Sequence, residues 1–80
     1  MFYAYILKSL KDHGYYFGHS ADIDHRIKTH NEGKVRSTKG RRPFQIHYFE
    51  TFSTKSEAFK REIFFKTFEG RKWLLNNSII

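Results

Sequence analysis

Between Tyr15 and His30 the chain passes from a strand pattern to a helix pattern, with a glycine at the junction. Tyr15-Tyr16-Phe17-Gly18 reads as a short aromatic strand. Asp22 to Asn31 has helical spacing, with Ile23 and Ile27 as its inward pair and a cap near Ser20 or Asp22. Arg26 and His30 lie four residues apart, so they share the helix face beside that apolar stripe. A phenol at the strand end therefore faces a guanidinium and an imidazole at the border between core and solvent. That trio suits a phosphate ester better than an apolar ligand.

The flanking segments supply a small sheet. Phe2 to Leu7 has strand character, with Tyr3, Tyr5 and Leu7 on one face and Phe2, Ala4 and Ile6 on the other. Lys11-Asp12-His13-Gly14 is a turn, which makes Tyr15–Gly18 the antiparallel partner of the first strand. Gly18 leaves room for another backbone or a ligand to come close. Phe44 to Glu50 is a third strand, alternating Phe44, Ile46 and Tyr48 against Gln45, His47 and Phe49. Thr54-Lys55-Ser56-Glu57 is a capping box opening a helix that is expected to run to about Thr67. A shorter helix is expected over Arg71 to Asn76, with Trp73 and Leu74 packing back. Phe64 and Phe68 are expected to pack on Trp73 or to form a dimer contact.

With 80 residues there is room for one domain, residues 1–80, with a single core. The chain has no cysteine, so neither a disulfide framework nor a cysteine-based zinc site is available. Nine phenylalanines and an aromatic fraction of 19% let so short a chain bury more apolar area per residue. Without an apolar run of the ~20 residues that span a bilayer, and with no charged start or cleavage site of a signal peptide at Met1-Phe2-Tyr3-Ala4-Tyr5, no membrane association and a cytoplasmic location are expected. The formal net charge of +7 favours a polyanionic partner, and nucleic acid is the usual one. The loop from Glu32 to Arg42 concentrates that charge in Lys34, Arg36, Lys39, Arg41 and Arg42 and ends at the only proline, Pro43.

Glu62 is the anomaly. Ala58, Phe59 and Phe65 lie four and three residues before it and three after, so it projects from the apolar face of its helix. A carboxylate there is costly unless it is paired or ligates a cation. Two readings stay open: a salt bridge to Arg26, Lys66 or Arg61, or a divalent ion in a cleft lined by Tyr5, Tyr16 and Arg26. Magnesium takes one or two protein carboxylates and keeps its waters, which fits a single glutamate. Tyr5 and Tyr16 lie on adjacent strands, and neighbouring positive charge would favour a phenolate able to take a proton from water. Of the five histidines, His13 and His25 read as solvated, and none has zinc spacing. His19 and His30 are better placed, and His30 is open between proton transfer, phosphate binding and a plain polar helix end.

Taken together these residues resemble the GIY-YIG nuclease superfamily, in particular small stand-alone members related to the N-terminal nuclease domain of UvrC. The resemblance runs from Tyr3 to about Trp73. Its elements are Ala4-Tyr5-Ile6, then Tyr16-Phe17-Gly18, the helix carrying Arg26 and His30-Asn31, Gly40-Arg41-Arg42-Pro43, and the Glu62 helix from Ser56 to Lys66. The first signature lacks its glycine, having Ala4, and Ser37 stands where relatives often carry a tyrosine. The resemblance implies an α+β fold with a three-stranded antiparallel sheet flanked by helices. It implies hydrolysis of DNA phosphodiester bonds with Mg²⁺ (or Mn²⁺), in repair or in processing of branched or damaged DNA. Tyr16 would activate or orient water, Tyr5 would support it, Arg26 would neutralise the scissile phosphate, Glu62 would hold the metal, and His30 falls where relatives often place a functional polar residue. A protein partner would supply specificity. The alternative is a non-catalytic nucleic-acid-binding or repair-complex interaction module.

Overall fold

The structure, a computed structural model, describes residues 1–80. Strands β1 (Phe2–Ser9), β2 (Tyr15–Ser20) and β3 (Phe44–Phe52) form one antiparallel sheet in the order β2-β1-β3. Helices α1 (Ile23–Asn31), α2 (Lys55–Phe65) and α3 (Phe68–Asn76) flank it, giving an α+β fold. Central β1 is covered on both faces, which is why Ala4, Tyr5, Ile6 and Leu7 are all buried and its sequence reads as a continuous apolar run. The pleat sorts them. Ala4 and Ile6 join Phe65 of α2 and Leu74 of α3, while Tyr5 and Leu7 join Ile23 of α1 and Phe44.

β3 departs from simple alternation. Its register to β1 slips between Ile6↔Tyr48 and Leu7↔Ile46, leaving His47 as the extra residue of a bulge. Phe44 and Ile46 therefore pack on the α1 side, but Tyr48 crosses to the α2 side and meets Phe65. The expectation that these three share one face fails for that reason. His47 turns toward Tyr15, ring centroids 5.1 Å apart, and its Nε2–H donates to the Ile79 carbonyl, which ties the C-terminal residues onto the sheet.

Local capping sets the helix starts. Asp22 is the N-cap of α1, accepting from the His25 N–H at 3.0 Å. Thr54 and Glu57 form the reciprocal capping box of α2. α2 ends at Phe65 rather than near Thr67, because the Thr67 hydroxyl caps a new helix, accepting from the Gly70 N–H at 3.0 Å. Gly70, a helix breaker on paper, sits in the first turn of α3, where a Cβ would overlap the Phe64 carbonyl. Its absence lets α3 start tight against α2. Phe64 packs edge-on to Trp73, while Phe68 is 84% exposed.

Residues 32–43 are laid down on the sheet by named contacts. The Ser9 hydroxyl donates to the Arg41 carbonyl at 2.6 Å, Lys11 Nζ donates to the Gly40 carbonyl at 3.0 Å, and Arg41 pairs with Asp12 at 2.7 Å. The Asn31 side chain brackets Phe44, donating to its carbonyl at 2.9 Å and accepting its N–H at 2.7 Å. No helix is long and apolar enough to cross a membrane.

Candidate active site

The site forms round the edge strand β2. Tyr5 and Gly18 face each other across the β1–β2 ladder. The Tyr5 ring lies over Gly18, so close that a Cβ there would sit 2.5 Å from Tyr5 Cζ. The space predicted at Gly18 is thus filled by a tyrosine from the neighbouring strand. Burial pushes the Tyr5 phenol above its ordinary pKa, against the opposing pull of the Arg26 guanidinium, while Tyr16 and Glu62 push it further up. Tyr5 is therefore a neutral donor, not a base. Arg26, Tyr16 and Glu62 thus all act on the Tyr5 phenol.

Tyr16 stands opposite Leu7, on the Tyr5 side of the sheet, half-buried and edge-on to the His30 ring at 4.8 Å. His30 is not at the border between core and solvent. It is fully buried, because the 32–43 loop folds over it and Thr38 comes within 2.8 Å of its Nδ1. Its Nε2 has no partner. Burial first, and the Arg26 charge second, lower its pKa to about 4, so at neutral pH it is an uncharged ring. An imidazolium that grips phosphate directly does not fit that placement. What His30 touches of these groups is the Tyr16 ring.

Arg26 is half-buried on α1 and takes no part in any ion pair. With His19, Ser20, Ala21, Phe2 and Lys55 it lines a groove of about 330 Å³. A guanidinium held by packing with its charge uncompensated is a ready anion site.

Glu62 approaches from the α2 side and is 8% exposed. Its Oε1 accepts from His19 Nδ1 at 2.8 Å and its Oε2 from Lys66 Nζ at 2.7 Å. Of the three cations considered from sequence, only Lys66 pairs with it; Arg61 instead pairs with Glu50 at 2.7 Å, over the rings of Phe64 and Trp73. His19 is the residue that sequence reasoning left without a role. Its signal was available, since it alternates with Phe17 toward the α2 side and so toward the one buried carboxylate. His19 and Arg26 line the same groove, so the two halves of the site meet round β2.

No group of three or more His, Asp or Glu converges here. The donor set suits an ion that takes one carboxylate and fills its remaining positions with water and phosphate oxygens. The Lys66 side chain that pairs with Glu62 is 50% exposed, against 11% for the Glu62 side chain.

The five loop cations divide. Arg36 and Lys39 are exposed and make no ion pair, and Lys34 has only the exposed Glu32 at 3.4 Å. Arg42 donates to the Lys39 carbonyl at 2.8 Å. Arg41 is committed to the fold: besides Asp12 it lies over the Phe44 ring at 5.5 Å. Asp12 and the guanidinium stabilise each other's charged forms, which holds the carboxyl well below the usual range and raises Arg41.

Fold and groove together define a small α+β domain with a groove beside its edge strand that holds an arginine free of any ion pair. A family model described as the GIY-YIG catalytic domain matches residues 1–76, and the chain belongs to that family. It is 51% identical over 73 residues to a UPF0213 protein of Staphylococcus saprophyticus, covering 90% of this chain and 88% of that one. It is 44% identical to the UPF0213 protein YazA of Bacillus subtilis, covering 85% and 69%. The solution NMR structure of a UPF0213 protein from Bacillus halodurans superposes with a TM-score of 0.53 at 36% identity, over 95% of this chain and 84% of that one. The chain is thus similar to small proteins built, like itself, around this nuclease-type domain.

Proposed function

We propose that this protein is a metal-dependent endonuclease that hydrolyses DNA phosphodiester bonds. The observation that carries the reading is the Arg26 guanidinium, free of any ion pair in a groove it shares with His19, the partner of the buried Glu62, and hydrogen-bonded to Tyr5. Arg26 binds the non-bridging oxygens of the scissile phosphate and offsets the charge that builds on them as water adds. The Tyr16 oxygen orients that water and, as the phenolate, takes up its proton as the new P–O bond forms and the bond to the leaving oxygen breaks, the leaving oxygen taking a proton from solvent. Tyr5, neutral and fixed over Gly18, accepts a hydrogen bond from the Arg26 guanidinium and holds it in place. His30 buttresses the Tyr16 ring. Glu62 would hold a Mg²⁺ or Mn²⁺ ion, supplying Lewis acidity at the phosphate. Lys34, Arg36 and Lys39 extend the positive surface along the backbone, and repair of branched or damaged DNA is the setting this chemistry fits.

One observation favours a second reading. Both Glu62 oxygens have protein partners, so a nucleic-acid-binding module with a closed Glu62–Lys66 pair would look the same. Metal dependence separates the two. Cleavage of single-stranded, duplex and branched DNA is measured in Mg²⁺, Mn²⁺ or EDTA, beside Tyr16→Phe, Arg26→Ala and Glu62→Ala. Glu62→Ala should abolish cutting with DNA affinity nearly unchanged, and Arg26→Ala should slow it by about 10²–10³-fold. A Glu62→Ala protein that still cuts would sink the metal assignment, and binding without cutting in every metal would favour the module.

A further inference from the structure

The groove does not end at the phosphate. His19 and Lys55 are walls it shares with a second hollow of about 440 Å³, lined by His19, Lys55, Ser56 and Phe59. Phe59 stands in the first half of α2 and is 47% exposed, as Ile63 one turn further on is at 45%, although Ala58 and Phe65 of the same helix are buried. Its aromatic neighbour is His19, with centroids 5.2 Å apart and planes tilted by 59°. Glu62 fixes the far side of that imidazole, so the wall is held from behind. Lys55 borders both hollows. Going along the surface, the order is therefore guanidinium, ammonium and imidazole, then an open phenyl face.

That sequence of groups matches one nucleotide read from phosphate to base. Exposed aromatic rings beside a cationic track are how single-stranded nucleic acid is held without sequence preference. A paired base in a duplex hides both faces in the stack, so only an unpaired one can use the ring. Lys55 at the rim adds the positive charge that the backbone of such a strand requires.

We propose that Phe59, with His19 and Lys55, is a subsite for the unstacked base next to the phosphate held at Arg26, and that single-stranded or locally unpaired DNA is therefore preferred over duplex. The inference rests on the nuclease reading for the role of Arg26, and its test is separable from cleavage.

Binding is measured in EDTA by fluorescence anisotropy, on a short single strand and on the duplex of the same sequence, with 2-aminopurine placed in turn along the single strand. Phe59→Ala should weaken single-strand binding by about tenfold, the scale of one base–aromatic stack, and leave duplex binding unchanged. Phe59→Tyr should restore it. Phe68→Ala, on a still more exposed ring that lines a different hollow, should change neither. The 2-aminopurine emission should be quenched at one position by wild type and not by Phe59→Ala. Equal losses on both DNAs, or none, overturn the subsite. So does a Phe59→Ala protein that changes from dimer to monomer in sedimentation with both affinities intact, which would assign the hollow to a second copy. A wild type that keeps the single-strand preference but never cuts overturns the nuclease reading and leaves the subsite standing.

Discussion

Replacing Gly18 by alanine tests the contact on which the site's geometry depends. The added methyl would lie 2.5 Å from Tyr5 Cζ and 2.9 Å from Tyr5 Cε1, where ordinary contact begins at 3.4 Å. The ring cannot swing clear, because Tyr5 is 1% exposed between β1, β2 and α1. Overpacking of this kind costs about 1–3 kcal/mol. In a domain of this length each kcal/mol lowers Tm by roughly 4–8 °C, a shift easily seen by circular dichroism or differential scanning fluorimetry. The same methyl displaces the phenol from Arg26, so activity should fall in protein that is still folded. A double-mutant cycle isolates the cause. In a Tyr5→Leu background the phenol is gone, and Gly18→Ala should cost less by about 1 kcal/mol or more. An unchanged Tm for Gly18→Ala, or the same loss in both backgrounds, would refute the placement of the Tyr5 ring over Gly18.

Two further outcomes follow from the burial of His30 and the division of the loop. His30 titrates near 4 when folded against an ordinary 6.5, so the unfolded chain binds the proton more tightly and stability is lost as pH falls from about 6.5 to 4. The loss should approach ~3 kcal/mol, and in His30→Gln, measured by urea unfolding across that range, most of the slope should vanish; equal slopes would mean that His30 is not the buried group. In the loop, Arg36→Ala and Lys39→Ala should each lower the slope of log affinity against log salt by about one, with Tm unchanged. Arg41→Ala should instead lower Tm through its lost Asp12 contact, and identical behaviour of Arg36→Ala and Arg41→Ala would contradict that division.

Much of the fold was legible because its signals are local. The β1–β2 hairpin, α1 with Asp22 at its cap, and the start of α2 at Thr54-Lys55-Ser56-Glu57 each depend on residues within one turn of each other. The α2–α3 boundary was not, since Thr67 as an N-cap and Gly70 as a breaker give opposite instructions, and only the approach of Gly70 to the Phe64 carbonyl decides between them. The His47 bulge was invisible for a related reason: alternation assumes an unbroken register, and the register belongs to the pair of strands. At the site, Tyr5, Tyr16, Arg26 and Glu62 could be named from the sequence, and Arg26, Tyr16 and Glu62 all act on the Tyr5 phenol. Their surroundings could not. His30 is covered by a loop that approaches it through Thr38, and the His19 partner of Glu62 lies forty-three positions earlier in the chain.

The buried polar groups argue most directly that this core is shaped by more than stability. A single small domain has only about 5–15 kcal/mol of net stability. Leaving a buried nitrogen such as His30 Nε2 unsatisfied costs about 1–3 kcal/mol of it. A carboxylate 8% exposed is a further cost unless its partners are well placed, and here they are a histidine from the sheet and a lysine one helical turn away. An apolar side chain would serve packing better at either position. Both polar groups instead lie against residues of the proposed site, His30 behind Tyr16 and Glu62 behind His19 of the groove. In each case the buried member sets the orientation of an exposed or half-exposed one. Arg61 and Glu50 form a contrast within the same domain: they too pair bidentately and stack on aromatic rings, yet they touch nothing in the groove, and their arrangement is accounted for by packing alone. The difference lies in what each pair positions, and only the first two position residues of the proposed site.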